Sequence, residues 1–389
     1  MLKPNQATQS LKQSGIRALG KRCAAVKGIN LGQGICDLPT PEILKQQACD
    51  AITHGSSTYS ACEGVFDLRV AIAEKLLNFN SIKADPEQEV MVAHGSTGAF
   101  VCAIQTLFER NDEIILFEPF YSYHKLILEL LGMQIKTVPI NLTDFSIDYD
   151  YLDNIISTNT KGIIICTPNN PSGKVYNREE LLTLGKIADK HDLTIITDEI
   201  YEYIVYPEHE HVSLASLEDF KDRTITISGL SKTYNMTGWR LGYVTGPALI
   251  IEKMTLVQDL LYVCPVTPLQ NAAIPALRFL PDYYEQMCAS YLHKRDKMVS
   301  ALQSMNYKIT APEGAYYLMA DISELDYSDD AAAVTNLLDK AHVACVTGRS
   351  FYMNPNDGKQ VLRFCYALDD KKIATALDQM AVIATRGHL

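Results

Sequence analysis

The 389-residue chain lacks the marks of several large protein classes. No apolar run approaches the roughly 18 residues of a spanning helix, so no transmembrane segment is expected. Positive charge is in deficit: 35 Lys and Arg stand against 46 Asp and Glu, a formal net charge of −11. That balance argues against a nucleic-acid or anionic-membrane surface, and any anionic ligand needs a local basic pocket. The ten cysteines form no C-x-x-C pair, and several lie in apolar runs, as Cys166 does after Ile163-Ile164-Ile165. This pattern predicts reduced, mostly buried thiols in a cytoplasmic protein, with neither zinc nor disulfides. The polar start, Met1 to Lys21, has no apolar core of a secretory signal. No strand-like run leads into G-x-G-x-x-G, which disfavours a nicotinamide-binding Rossmann unit. Repeats, low-complexity tracts and an appended basic module are also missing.

What is present is an ordinary globular balance, 47% hydrophobic and 21% charged, in a chain too long for one core. About two domains of roughly 150 residues each are expected. Short β-rich runs alternate with helical patterns, the mark of a mostly parallel α/β sheet. Strands are predicted at Glu89–Ala93, Asp112–Phe117, Gly162–Cys166, Leu193–Thr197, Arg223–Ser228 and Leu241–Val244. Helices are predicted at Thr97–Glu109, Tyr123–Leu131 and Arg178–His191, and they dominate from Pro247 to Met305. A smaller α+β unit follows, with strands at Tyr316–Ala320, Ala344–Thr347 and Val361–Tyr366 and helices at Ala331–Ala341 and Lys371–Ala384. The expected division is 48–281 for the large domain, with 1–47 plus 282–389 as a small domain carrying an N-terminal arm. Functional groups should gather at the carboxyl ends of the large-domain strands, where loops and helix N-termini converge.

Suggestive residues fall at those ends. Ser228-Gly229-Leu230-Ser231-Lys232 leads through Thr237-Gly238-Trp239-Arg240 between two predicted strands. His94-Gly95-Ser96-Thr97-Gly98 turns a strand into a helix, where small residues let backbone N–H groups approach an anion. Ser and Thr there could equally cap the helix. Thr167-Pro168-Asn169-Asn170-Pro171-Ser172-Gly173 follows a buried strand, and Thr197-Asp198-Glu199-Ile200-Tyr201 ends another.

The Lys232 segment resembles the Schiff-base segment of class I/II aminotransferases of pyridoxal-phosphate fold type I, and the resemblance runs from about Ile29 to Tyr366. It implies a mostly parallel central sheet flanked by helices, a smaller α+β domain, and pyridoxal 5′-phosphate held as a Schiff base on Lys232. Such a lysine needs an accessible neutral amine, which burial and neighbouring cations favour. The match gives Arg240, Ser96 and Thr97 to the cofactor phosphate and Asn170 to its phenolic oxygen, with Tyr201 helping. It sets Asp198 against the pyridine nitrogen and stacks Tyr121 on the ring, with Phe120 as the competing choice. Arg363, in Val361-Leu362-Arg363-Phe364, resembles the arginine that clamps the substrate α-carboxylate, and Gly34 brings backbone near the substrate. Tyr59 resembles the tyrosine that reaches the partner subunit's phosphate, which implies a homodimer.

The chain departs from the pattern in places. Gly229 stands where the family often has a serine, leaving Ser231 or Ser228 to supply a phosphate hydroxyl; Cys36 and Thr347-Gly348 replace a proline and a Pro-Gly. The activity implied is transfer of an amino group from an L-amino acid to a 2-oxo acid. A β-lyase of the C–S type on the same fold is the alternative. Thr97 stands where some aspartate-specific relatives carry a lysine, and the sequence identifies no second cation for an acidic substrate. The expectation therefore leans toward neutral, aromatic or sulfur-containing amino acids.

Overall fold

Runs such as Ile163-Ile164-Ile165 are apolar at every position, which suits a strand covered on both faces and no strand with a wet side. The computed structural model describes residues 2–9, 15–34, 36–279 and 281–385. Parts of the polar start and the last four residues of the small-domain assignment lie outside them. A seven-stranded sheet is built from β1 (Val90–His94), β2 (Glu113–Glu118), β3 (Gln134–Pro139), β4 (Thr160–Cys166), β5 (Thr194–Asp198), β6 (Thr224–Gly229) and β7 (Leu241–Thr245), in the order β1-β7-β6-β5-β4-β2-β3. All neighbours are parallel except β7, which runs antiparallel to both β6 and β1.

Successive residues of the central strands feed opposite layers. Ile114, Leu116, Ile164 and Ile196 pack into one core, while Ile115, Phe117, Ile163, Ile165 and Ile195 pack into the other. Each fully buried Ile contributes about 1.5–3 kcal/mol relative to exposure, so a one-residue register slip would exchange every contact on both faces. Helices α1 (Gly95–Leu107) and α2 (Ser122–Leu131) follow β1 and β2, and α3 (Arg178–Lys190) precedes β5. α3 starts on a capping box between Asn177 and Glu180.

A three-stranded antiparallel sheet forms from β8 (Tyr317–Asp321), β9 (Val346–Thr347) and β10 (Val361–Cys365), in the order β9-β10-β8. Its core draws on Leu19, Cys23 and Leu31 near the start of the chain and on Leu337, Phe364 and Ile373 near its end. Ile200, Tyr201, Ile204 and Tyr206, which follow β5, pack into the same core and tie the two sheets together. The helix beginning at Pro281 runs to Ser304.

Among the strands, two readings differ from expectation. The run Ala344–Thr347 is two strands: Val343–Ala344 pairs in parallel with Ile29–Asn30, whereas Val346–Thr347 pairs with Leu362 and Arg363. One apolar run serves two partners, and periodicity carries no sign of where the partner changes. The edge strand β3 also escapes prediction, because Lys136 and Pro139 give it a composition tolerated only at an edge.

Candidate active site

Because β1 and β4 to β6 point one way and β7 the other, five segments converge on one edge of the sheet. These are the start of α1, the turns after β4, β5 and β6, and the turn before β7. Tyr121, just after β2, joins them. A cavity there is lined by Gly34, Ser96, Thr97, Tyr121, Asn170, Asp198, Tyr201, Lys232 and Arg363, nine of the residues singled out above.

Lys232 stands in the turn after β6, its amine donating to the carbonyl of Gly34 at 3.1 Å. The rings of Tyr201 and Tyr316 flank the amine at 5.8 and 5.9 Å. Burial, aided by the Arg240 and Arg363 charges, lowers its pKa from 10.5 to about 8. A substantial fraction is therefore neutral and nucleophilic near physiological pH. Gly34 has to be glycine: a Cβ would lie 1.8 Å from the Tyr317 hydroxyl.

Asp198 ends β5, and its Oδ2 lies 3.0 Å from Nε2 of His124, a buried residue of α2. The Ile200 N–H bonds the other carboxylate oxygen at 3.3 Å. The carboxylate is thus aimed by two elements and stands in the cavity as a fixed negative group. Three residues on, the Tyr201 hydroxyl lies 3.0 Å from that of Tyr317. Burial pushes the Tyr201 phenol far above its ordinary range, and Tyr317 is pushed up to about 12, so both stay protonated as donors.

Arg363 is only 2% exposed and has no carboxylate partner among the described residues. Its fork donates to Asn170 Oδ1 at 2.9 Å and to the Gly32 carbonyl at 2.5 Å, while Nε has no partner. The rings of Tyr317 and Phe351 sandwich the guanidinium at 4.5 and 5.0 Å. An enclosed cation with unused donor capacity is costly unless an anion arrives to use it.

At the opposite side α1 begins without a side-chain cap, so its first N–H groups remain open to an anion. Gly95 adopts φ +67°, and a Cβ there would lie 2.6 Å from the Arg240 guanidinium. Arg240 thus lies against Gly95, the residue before Ser96 and Thr97, although unlike those two it does not line the cavity. A helix N-terminus, two hydroxyls and an arginine together suit a phosphate dianion. Of the two serines considered as substitutes for Gly229, Ser228 is turned away and donates to Glu202 at 2.7 Å, while Ser231 does not line the cavity.

Tyr121 lines the cavity, edge-on to His124 and stacked on Tyr123, whereas the competing Phe120 is core. Tyr59 lies outside the cavity and is 81% exposed. His124, Tyr317 and Arg17 were not anticipated. No local motif marks them, and each reaches the site through an element whose placement is tertiary.

Behind the Asp198 turn lies a second polar cluster, fully enclosed. Glu202 accepts from Lys75 at 2.5 Å, Asn80 at 2.8 Å, Ser228 at 2.7 Å and Tyr243 at 3.2 Å. Glu199 accepts from Ser213 at 2.5 Å and Thr197 at 2.8 Å, and it lies 2.9 Å from His211. Glu199, Glu202 and His211 are close enough together to hold a cation, and the Lys75 ammonium already fills that role beside Glu202.

A nucleophilic amine, a fixed carboxylate, an anion cradle and a carboxylate clamp share one cavity, and that donor set fits pyridoxal phosphate together with an amino acid. The family profile described as "Aminotransferase class I and II" matches residues 26–380. The chain is 34% identical to the "Aromatic-amino-acid aminotransferase 2" of Thermococcus litoralis, over 96% of each chain. It is 35% identical to the "Aspartate aminotransferase" of Pyrococcus abyssi, over 94% of each. Its fold superposes with a TM-score of 0.94 on the N-succinyldiaminopimelate aminotransferase from Mycobacterium tuberculosis, covering 98% of this chain and 100% of the other at 30% identity.

Proposed function

Because this chain belongs to the aminotransferase class I and II family and is a pyridoxal-phosphate-dependent aminotransferase, we propose that Lys232 is the residue that carries the cofactor and moves the proton. The family's cofactor supplies an electron sink for the substrate's α-carbon. Ser96, Thr97, the open first turn of α1 and Arg240 would hold its phosphate. Asp198 would face its pyridine nitrogen, Tyr121 would stack on its ring, and Asn170 and Tyr201 would hold its phenolic oxygen.

The remaining steps belong to the protein. Arg363, held by Asn170 and Gly32, binds the α-carboxylate through its fork and so fixes the amino group toward Lys232. The Lys232 amine, with a pKa of about 8, takes the α-proton and later returns it. Asp198, oriented by His124, keeps a negative charge where positive charge must persist. The observation that carries this reading is the buried, carboxylate-free guanidinium of Arg363 in the same cavity as the low-pKa Lys232 amine.

Quaternary and domain readings belong to the same proposal. In α4 (Ala248–Tyr262), Leu249, Leu256 and Leu260 form one exposed face, with Leu260 87% exposed. Such a stripe suits burial against a second copy, and the exposed Tyr59 suits a reach into that copy's site. The proposed division is 48–281 for cofactor binding, with 1–47 and 282–389 closing the substrate side. Ten free cysteines support a reducing, cytoplasmic setting.

Lys232→Ala tests the assignment. Multiple turnover of an amino group between an L-amino acid and a 2-oxo acid should vanish, while near-normal turnover by the variant would overturn it.

A further inference from the structure

Two segments from different sheets meet beside Arg363. One is Glu118-Pro119-Phe120, which ends β2 and leads into Tyr121. The other is Phe351-Tyr352-Met353, which completes and follows the short helical turn Gly348–Phe351 after β9. The Phe120 N–H donates to the Phe351 carbonyl at 3.0 Å, and the Met353 N–H donates to the Glu118 carboxylate. The other end of the turn is fixed by Arg349, which donates to Asp329 at 2.8 Å and from Nε to Asp330 at 2.7 Å, at the start of the helix Asp330–Ala341. Phe351 therefore sits between two anchors, one beside the small sheet and one at the end of a large-sheet strand.

Its ring is fully buried and covers the Arg363 guanidinium. Glu118 is the costly member of the arrangement. It is 7% exposed, and no Lys, Arg or His pairs with it among the described residues. Its carboxylate accepts from the Met353 N–H and from the Thr137 hydroxyl of β3. Enclosing a carboxylate without a cation is unfavourable, and burial accordingly raises its pKa. A neutral amide could accept the same N–H without that cost. What the charge adds is a bond roughly twice as strong as a neutral one. That strength is applied where it holds the backbone two residues beyond Phe351.

Resting on the reading of Arg363 as the α-carboxylate clamp, we infer that Glu118 is a positioning residue for substrate binding: through Met353 it fixes Phe351 against the guanidinium and so fixes the plane of the carboxylate seat. A guanidinium covered on both faces offers donors only along its edge, so the covering rings decide where that edge points. Without the Glu118 tether, the segment keeps only the Phe120–Phe351 bond on that side, and the ring can tilt. The seat is used alike in the ground state and the transition state. Loosening it therefore raises KM and leaves kcat nearly unchanged. A ligand with no carboxylate does not use the seat and is indifferent to the tether.

The test uses the cofactor-loaded protein and two unreactive probes of one shape, 3-phenylpropionate and the carboxylate-free 3-phenylpropan-1-ol, with dissociation constants from calorimetry. Arg363→Gln sets the reference and should abolish the preference for the carboxylate. Glu118→Ala should weaken 3-phenylpropionate at least fivefold and leave the alcohol within twofold. Glu118→Leu, closer in volume, should do the same and serves if the alanine variant does not fold. Glu118→Gln keeps a carbonyl acceptor for Met353 and should recover most of the loss. In turnover, KM for the amino donor should rise by the same factor while kcat changes less than twofold. Equal weakening of both probes, or no recovery in Glu118→Gln, would show a merely structural role and overturn the inference. So would a preference left intact by Glu118→Ala but abolished by Arg363→Gln. A native protein that does not favour the carboxylate, or an Arg363→Gln variant that keeps the preference, would instead sink the clamp reading and this inference with it.

Discussion

Lys232 concentrates the conflict between stability and chemistry in one side chain. Holding an amine at a pKa of about 8 instead of 10.5 corresponds to ~3 kcal/mol of penalty against the protonated form. Below pH 8 the penalty is fully present, because the folded chain must hold a proton that it binds poorly. Between pH 8 and 10.5 the unfolded chain binds that proton and the folded chain does not, so the cofactor-free protein gains stability as pH rises. Lys232→Met removes the group. At pH 7 the cofactor-free variant should be more stable than the native chain by up to ~3 kcal/mol in urea unfolding. The gap should close toward pH 10.5. A gap that widened with pH would contradict the buried-amine account. The same residue was singled out from sequence because small residues and Thr-Gly-Trp-Arg surround it, yet nothing in that run reports the amine's environment. Tyr201, Tyr316 and the Gly34 carbonyl, 198 positions away, supply it.

At the scale of elements, the turn bearing Asp198 and Tyr201 is held from behind by Glu202. That one carboxylate joins the helix Phe66–Asn80 to the turn after β5, to β6 at Ser228 and to β7 at Tyr243. Removing it would strand the Lys75 ammonium in the interior, a change that costs roughly 3–5 kcal/mol. Glu202→Ala should lower unfolding stability by about that amount, and Lys75→Met with Glu202→Leu should lose clearly less. A loss under ~1 kcal/mol for the single variant would show the pair to be dispensable. Sequence reasoning located six of the seven strands of the large sheet to within a residue or two because their apolar runs are turn-bounded. It missed this cluster, since Lys75, Asn80, Glu199, Glu202, His211 and Tyr243 share no periodic pattern. Only the crossover order of the sheet brings them together.

At the scale of the whole molecule, the exposed stripe on α4 and the outlying Tyr59 belong to one argument. On the proposed dimer, Leu256→Glu with Leu260→Glu should shift sedimentation from dimer to monomer and lower activity in parallel, because each site would then lose the Tyr59 proposed to reach it from the other copy. A variant that stays dimeric would place the interface elsewhere. Much of the rest was legible in advance. The alternation of apolar runs and helices dictates a layered sheet, and the order Asn170, Asp198, Tyr201, Lys232, Arg240 along the chain carries the resemblance to the aminotransferase family before any contact is known. These properties are local: they depend on side-chain type, spacing and the strand-end turns that small residues permit. The pairing of His124 with Asp198, the tyrosine wall that requires glycine at position 34 and the enclosure that lowers the Lys232 pKa were decided only by the tertiary structure. Each is a contact between residues tens to hundreds of positions apart, and its energy arises from packing and lost solvent that no stretch of sequence contains.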